Sequence, residues 1–102
     1  MAQITKKSFN TPDEVRNPKE EMKIEVVEIN GLEFKRHTAK PGYKGQNCEI
    51  HHLLYIISGK LYARMPGGAE VEFNPGEIAV IPPGHDAWNT ENEPIVWLEI
   101  PH

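Results

Sequence analysis

Gly76-Glu77-Ile78-Ala79-Val80-Ile81-Pro82-Pro83-Gly84-His85-Asp86-Ala87-Trp88 joins a turn, a short apolar strand, a rigid Pro-Pro-Gly corner, and a His and a Trp delivered together. Proline fixes φ and glycine admits positive φ, so such a corner has few conformations open to it. A rigid corner that presents a His at the mouth of a β-structure is a way to build a ligand site.

On either side of this stretch the chain reads as strands and turns. Ile24–Ile29 and Leu32–Thr38 flank Asn30-Gly31, the strongest short hairpin signal, because a type I′ turn needs positive φ at both central residues. Along the second of these runs, Leu32, Phe34, Arg36 and Thr38 share one face, expected to point inward. Glu33, Lys35 and His37 share the other, expected to be solvated. Pro41-Gly42 turns the chain toward Cys48–Ile57, whose latter part, Leu53-Leu54-Tyr55-Ile56-Ile57, is apolar on both faces and suggests a strand covered on both sides. His51 and His52 are adjacent, so only one of them can look inward, and His51 is expected outward or at a subunit contact. Lys60–Met65, Glu70–Phe73, Ile78–Ile81, His85–Asn89 and Ile95–Ile100 complete about eight short strands separated by turn residues. This spacing predicts an all-β sandwich or barrel over residues 23–102. Residues 1–22 form an N-terminal arm, in which Ile4–Phe9 could be an edge strand and Thr11-Pro12 could start a short helix lasting to Asn17-Pro18.

The 102 residues suffice for one domain with one core. A net charge of −4 gives no basic footprint for nucleic acid or anionic membrane. No apolar run approaches the ~20 residues that span a bilayer, and the first residues lack the apolar core of a signal peptide. One cysteine excludes an internal disulfide framework and fits a reducing cytoplasm. A small barrel of this kind leaves sheet edges that must be covered. With the arm and the two-sided apolar strand, this makes a homodimer the expected assembly.

The residues now quoted resemble the cupins, small jelly-roll barrels carrying two sequence motifs. The second motif of that family is Gly, five residues, Pro-x-Gly, two residues, His, three residues, Asn. Gly76, Pro82 and Gly84 match it in type and spacing, whereas Ala87 and Glu91 stand where the family His and Asn would fall. His85, two residues before Ala87 and on the same side of an extended chain, is the candidate stand-in. In the first motif, anchoring on Gly59 places His52 at the family Glu, and Cys48 and Gln46 at the paired His positions. More narrowly, the chain is similar to small stand-alone cupins that read Pro-Pro-Gly-His-Asp-Ala-Trp in motif 2. The resemblance covers roughly Lys23 to Ile100 and implies an all-β, cupin-like jelly-roll β-barrel with a short N-terminal arm. Its function is left broad, because cupins host isomerases, dioxygenases, decarboxylases, epimerases, storage proteins and sensors.

Three site readings follow. In the first, His52 and His85, completed by Cys48 or Gln46, hold a divalent transition metal. Two imidazoles with a thiolate suit Zn²⁺, Fe²⁺, Ni²⁺ or Cu²⁺ better than Mg²⁺ or Ca²⁺. A small polar or anionic metabolite would bind beside it. In the second, a metal-free binding or sensing module, His52 and His85 are hydrogen-bonded pocket residues, Cys48 belongs to the core, and the barrel binds a small molecule without metal. There Arg36 anchors a carboxylate or phosphate, unless it pairs internally with Glu99 or Glu77. The third is a metal-dependent isomerase or oxygenase of the cupin type. Trp88 and Tyr55 either line the pocket mouth or belong to the core.

Overall fold

The computed structural model describes residues 2–102. Ten strands run in order: β1 (Glu14–Lys19), β2 (Met22–Ile29), β3 (Leu32–Ala39), β4 (Lys44–Cys48), β5 (His52–Ser58), β6 (Leu61–Arg64), β7 (Val71–Phe73), β8 (Ile78–Ile81), β9 (His85–Asn89) and β10 (Ile95–Glu99). They form two antiparallel sheets, one of six strands in the order β1-β2-β3-β10-β5-β8 and one of four in the order β4-β9-β6-β7. Leu54 and Ile56 of the first sheet and Leu61 and Ala63 of the second join Ile95 and Trp97 in one buried cluster, so the two sheets share a single core. No helix long and apolar enough to cross a membrane occurs among the described residues.

The β2–β3 hairpin closes through Asn30 (φ 53°) and Gly31 (φ 81°), as the Asn-Gly signal requires. Its faces are the reverse of the sequence expectation. The two-residue turn sets Ile24 opposite His37 and Glu25 opposite Arg36, and paired residues point to the same side. His37 and Ala39 are therefore buried inside, at 6% and 0% exposure, while Arg36 points out. Alternation could not decide this parity, because the outer face of β2–β3 is covered as well. Phe9 lies over it, with its ring 5.3 Å from the Arg36 guanidinium carbon, and Arg36 pairs with the buried Glu25 through Nε (2.9 Å) and Nη2 (3.0 Å).

No helix starts at Thr11-Pro12, and Ile4–Phe9 is not a strand. The backbone N–H of Asp13 donates to Val26 O, and its carboxylate accepts from the N–H of Glu28, which leads the chain into the edge strand β1 instead. A segment bracketed by Pro12 and Pro18 is too short to complete a stable helix, whereas the free edge of β2 offers a ladder at once. Pro18 falls in the register irregularity between Arg16 and Lys19, where its missing N–H is tolerated.

In β5 the inward residues Leu54 and Ile56 are almost wholly buried. The outward Tyr55 and Ile57 remain 40% and 43% exposed, so the second face expected to be covered is bare in the single chain.

Candidate metal centre

Strand pairing brings the candidate ligands together. Cys48 closes β4 directly opposite His85, the first residue of β9. An irregularity between Gly45 and Cys48 bends β4 there. Asn47 takes a left-handed conformation (φ 51°), held by its N–H donating to Asp86 Oδ1 at 2.8 Å. The Pro-Pro-Gly corner locks on from the other side, with the N–H of Gly84 donating to Cys48 O at 2.6 Å. The carbonyl of Pro82 accepts from His85 Nδ1 at 2.7 Å. With Nδ1 bearing the proton, Nε2 of His85 keeps its lone pair.

His52 opens β5, and its Nδ1 donates to Glu99 Oε1 of β10. Its Nε2 lies 3.5 Å from Cys48 Sγ. One ligand atom from each of Cys48, His52 and His85 falls within 4.8 Å of the other two. The two imidazole rings meet edge to face, centroids 5.0 Å apart.

Behind these three lies a pair of residues that the sequence reading did not assign to the site. Glu99 reaches both His52 and His37, with His37 Nε2 2.7 Å from Glu99 Oε2. That contact is close as a charge pair but poorly aligned, so neither ring nitrogen of His37 makes a well-directed hydrogen bond. The His37 ring stacks on Trp97 at 4.8 Å. Burial alone would raise the Glu99 carboxyl, but the close contact with His37 and the hydrogen bond from His52 outweigh it and hold it at about 2. Burial pulls His52 down, yet Glu99 and then Cys48 more than compensate, leaving its pKa raised. Burial raises the Tyr43 hydroxyl. The signal for Glu99 was present in β10, where Ile95, Trp97 and Glu99 share one face, and a carboxylate in line with two core residues needs a buried partner.

The cluster opens into a barrel cavity of about 360 Å³, walled by Ile24, Tyr43, Leu54, Leu61, Ile81 and Trp97. Lys19 of β1 is the one lysine or arginine in its lining. A more open depression of about 450 Å³ lies outside the barrel beside His51 and His102, whose ring nitrogens are 2.9 Å apart. It gathers no third ligand beside that pair among the described residues.

The remaining expected site residues fall elsewhere. Gln46 borders the cavity but is exposed and stands outside the three-residue group. Arg36 is on the outer face with Glu25 and does not line the cavity, so neither the ligand-anchor role nor pairing with Glu99 or Glu77 holds. Trp88 points outward, stacked on Tyr62 at 6.0 Å under Arg64. It alternates with inward His85, Ala87 and Asn89, so one strand cannot turn both His85 and Trp88 into the barrel. Tyr55 points outward by the same parity.

No protein-family model matches the chain, and no curated protein matches it. Solved structures do. The polyketide cyclase RemF from Streptomyces resistomycificus superimposes with a TM-score of 0.76 at 15% identity, over 97% of this chain and 79% of that one. A cupin-like protein from Thermotoga maritima gives 0.64 at 16% identity, over 78% of this chain and 67% of that one. The cupin domain of an XRE-family transcriptional regulator from Enterobacter cloacae gives 0.65 at 14%, over 81% and 97%. The fold is a cupin-like jelly roll. At these identities the likeness carries the fold alone, and the chemistry has to be argued from the residues.

Proposed function

We propose that this is a small cupin-domain protein whose barrel holds a divalent transition metal on Cys48, His52 and His85, and binds a small molecule in the cavity beside it. One observation carries the reading. Each histidine commits its Nδ1 proton to a fixed acceptor, Pro82 O for His85 and Glu99 for His52, and so keeps an unprotonated Nε2, while one ring nitrogen of each lies within 4.8 Å of the Cys48 sulfur. Metal-ligating histidines characteristically donate their other nitrogen in this way, which fixes tautomer and ring orientation. Zn²⁺, Fe²⁺, Ni²⁺ and Cu²⁺ match the donor set, and such an ion would act as a Lewis acid toward a bound oxygen.

The cavity defines the rest of the ligand. Its volume is at the small end of ligand pockets, and its walls are aliphatic and aromatic. A compact molecule with an apolar body and an oxygen-bearing end suits it. With Arg36 outside, Lys19 is the one lysine or arginine among the described lining residues left to meet an anionic group. Trp97, braced by the stacked His37, presents a flat wall, and His37 offers a ring nitrogen that lacks a directed partner within the protein. The free thiol of Cys48 suits a reducing cytoplasm.

A metal-free binding module is the second reading. It is favoured by the Cys48–His52 contact, in which a thiol proton can satisfy His52 Nε2 without any ion. Elemental analysis of protein purified without added metal or affinity tag separates the two. About one equivalent of metal in wild type, lost in a His52→Ala/His85→Ala variant, supports the metal centre. Substoichiometric metal, or the same content in the variant, removes it. Iron would favour oxygenase chemistry, and redox-inert zinc would count against it.

A further inference from the structure

We infer that the cavity takes a small monocarboxylate, its carboxylate held by the Tyr43 hydroxyl and Lys19 and its apolar body directed toward Cys48, His52 and His85. The inference rests on the reading of the barrel as a small-molecule cavity and names the class of its ligand.

Tyr43 is fixed everywhere except at its hydroxyl. Its N–H donates to Asn89 Oδ1 at 2.8 Å, and its carbonyl accepts from the Asn89 N–H at 3.3 Å. Its ring packs against the core beside Trp97, with centroids 6.3 Å apart. The hydroxyl lies over Gly45, so close that a Cβ at that position would stand 2.5 Å from it. Both residues line the cavity. The hydroxyl makes no hydrogen bond with another described residue, and it is not among the sealed polar atoms. Burial raises its pKa, so at neutral pH it keeps its proton and is a donor.

Lys19 supplies the charge. It ends β1 and borders the same cavity, with its ammonium 5.6 Å from the centre of the Tyr43 ring. It enters no ion pair among the described residues. An ammonium and a hydroxyl side by side, both lacking protein partners, complement a group that only accepts and carries negative charge. One lysine balances one charge. The walls formed by Ile24, Leu54, Leu61 and Ile81 offer nothing to a second, and an uncompensated charge against apolar walls is costly. A carboxylate carries one charge at neutral pH and a phosphate monoester close to two, so the carboxylate is the match. Gly45 precedes Cys48 by three residues, about 10 Å of extended strand. A ligand held at Tyr43 by its carboxylate therefore presents its far end to the three ligand residues.

Calorimetric titration of the full chain with 3-phenylpropanoate at neutral pH tests the inference, with 3-phenylpropanamide and phenyl phosphate as controls for charge. The carboxylate is expected to bind about tenfold more tightly than either control. Tyr43→Phe should weaken it about tenfold, and Gly45→Ala, which displaces the hydroxyl but keeps the ring, should do the same. Lys19→Met should weaken it by a smaller factor that shrinks as salt is added. Metal content should be unchanged in all three variants, and stripping metal with a chelator should leave the affinity unchanged. The metal centre and the carboxylate site can thus fail independently. No binding by the folded wild type, an amide bound as tightly as the acid, or full affinity in Tyr43→Phe overturns the inference. Carboxylate binding that disappears with the metal also overturns it, because the carboxylate would then sit at the metal end.

Discussion

Replacing Glu99 with Gln in metal-free protein isolates the charge that ties His37 and His52 together. The carboxyl is held at about 2, against an ordinary value of 4.5. At roughly 1.4 kcal/mol per unit, this corresponds to about 3 kcal/mol of native-state stabilisation. The stabilisation of a depressed carboxylate is present above its unfolded value and disappears as pH falls through the folded one. The gap between wild type and Glu99→Gln should therefore be about 3 kcal/mol near pH 5–6 and should close between about pH 4.5 and 2. His52 limits the other side. Its pKa is raised, so its share is complete below its unfolded value near 6.5 and is lost as pH rises through the higher folded value. Both shifts describe one interaction and are not added. Urea melts of the two proteins, with chelator present, at intervals from pH 2 to 9 give the curve. A gap under about 0.5 kcal/mol at pH 6, or one that does not narrow on acidification, would refute the reasoning.

Arg36→Ala should cost about 2 kcal/mol in urea melts, because it strands the buried Glu25 carboxylate. It should leave metal content unchanged; a loss of metal would put Arg36 back in the site. Gly59→Ala should cost about 3 kcal/mol, since Gly59 has φ 79° and an added Cβ would collide with the Pro94 carbonyl oxygen. Gly67→Ala shares the positive φ but has open space around it, so about 1 kcal/mol is expected. Equal losses at the two glycines would show that the Pro94 contact is not tight. Leu54→Ala, at a wholly buried core position, should lower stability by about 2–5 kcal/mol.

The strands were legible because turn chemistry punctuates this chain heavily. Asn30-Gly31, Ser58-Gly59, Asn74-Pro75-Gly76 and Pro82-Pro83-Gly84 each demand backbone conformations that only a few residues supply, and the strands between them follow. Gly76, Pro82 and Gly84 carried the likeness to the jelly-roll frame. The grouping of Cys48, His52 and His85 was also within reach, since it follows from strand parity around the Pro-Pro-Gly corner. Parity failed in β3, where the arm covers the outer face and Arg36 finds Glu25. A strand buried on both sides carries no alternation to say which side is the barrel, so His37 and Arg36 exchanged places. Glu99 escaped notice because its partners, His37 and His52, lie 62 and 47 residues away along the chain, and only the β3-β10-β5 order brings them together. The edge strand β1 was hidden for a different reason. Its pairing depends on the free side of β2, which local sequence does not record.

Absorption spectroscopy of metal-free protein titrated with Co²⁺ tests the three-residue centre most directly, because cobalt reports both the ligand geometry and the presence of sulfur. One equivalent should produce visible d–d bands and an intense near-ultraviolet sulfur-to-cobalt charge-transfer band. The charge-transfer band should vanish in Cys48→Ser, and all binding should be lost in His52→Ala/His85→Ala. A spectrum no different from cobalt in buffer, or a bound spectrum indifferent to Cys48 and to both histidines, would contradict a metal held on Cys48, His52 and His85.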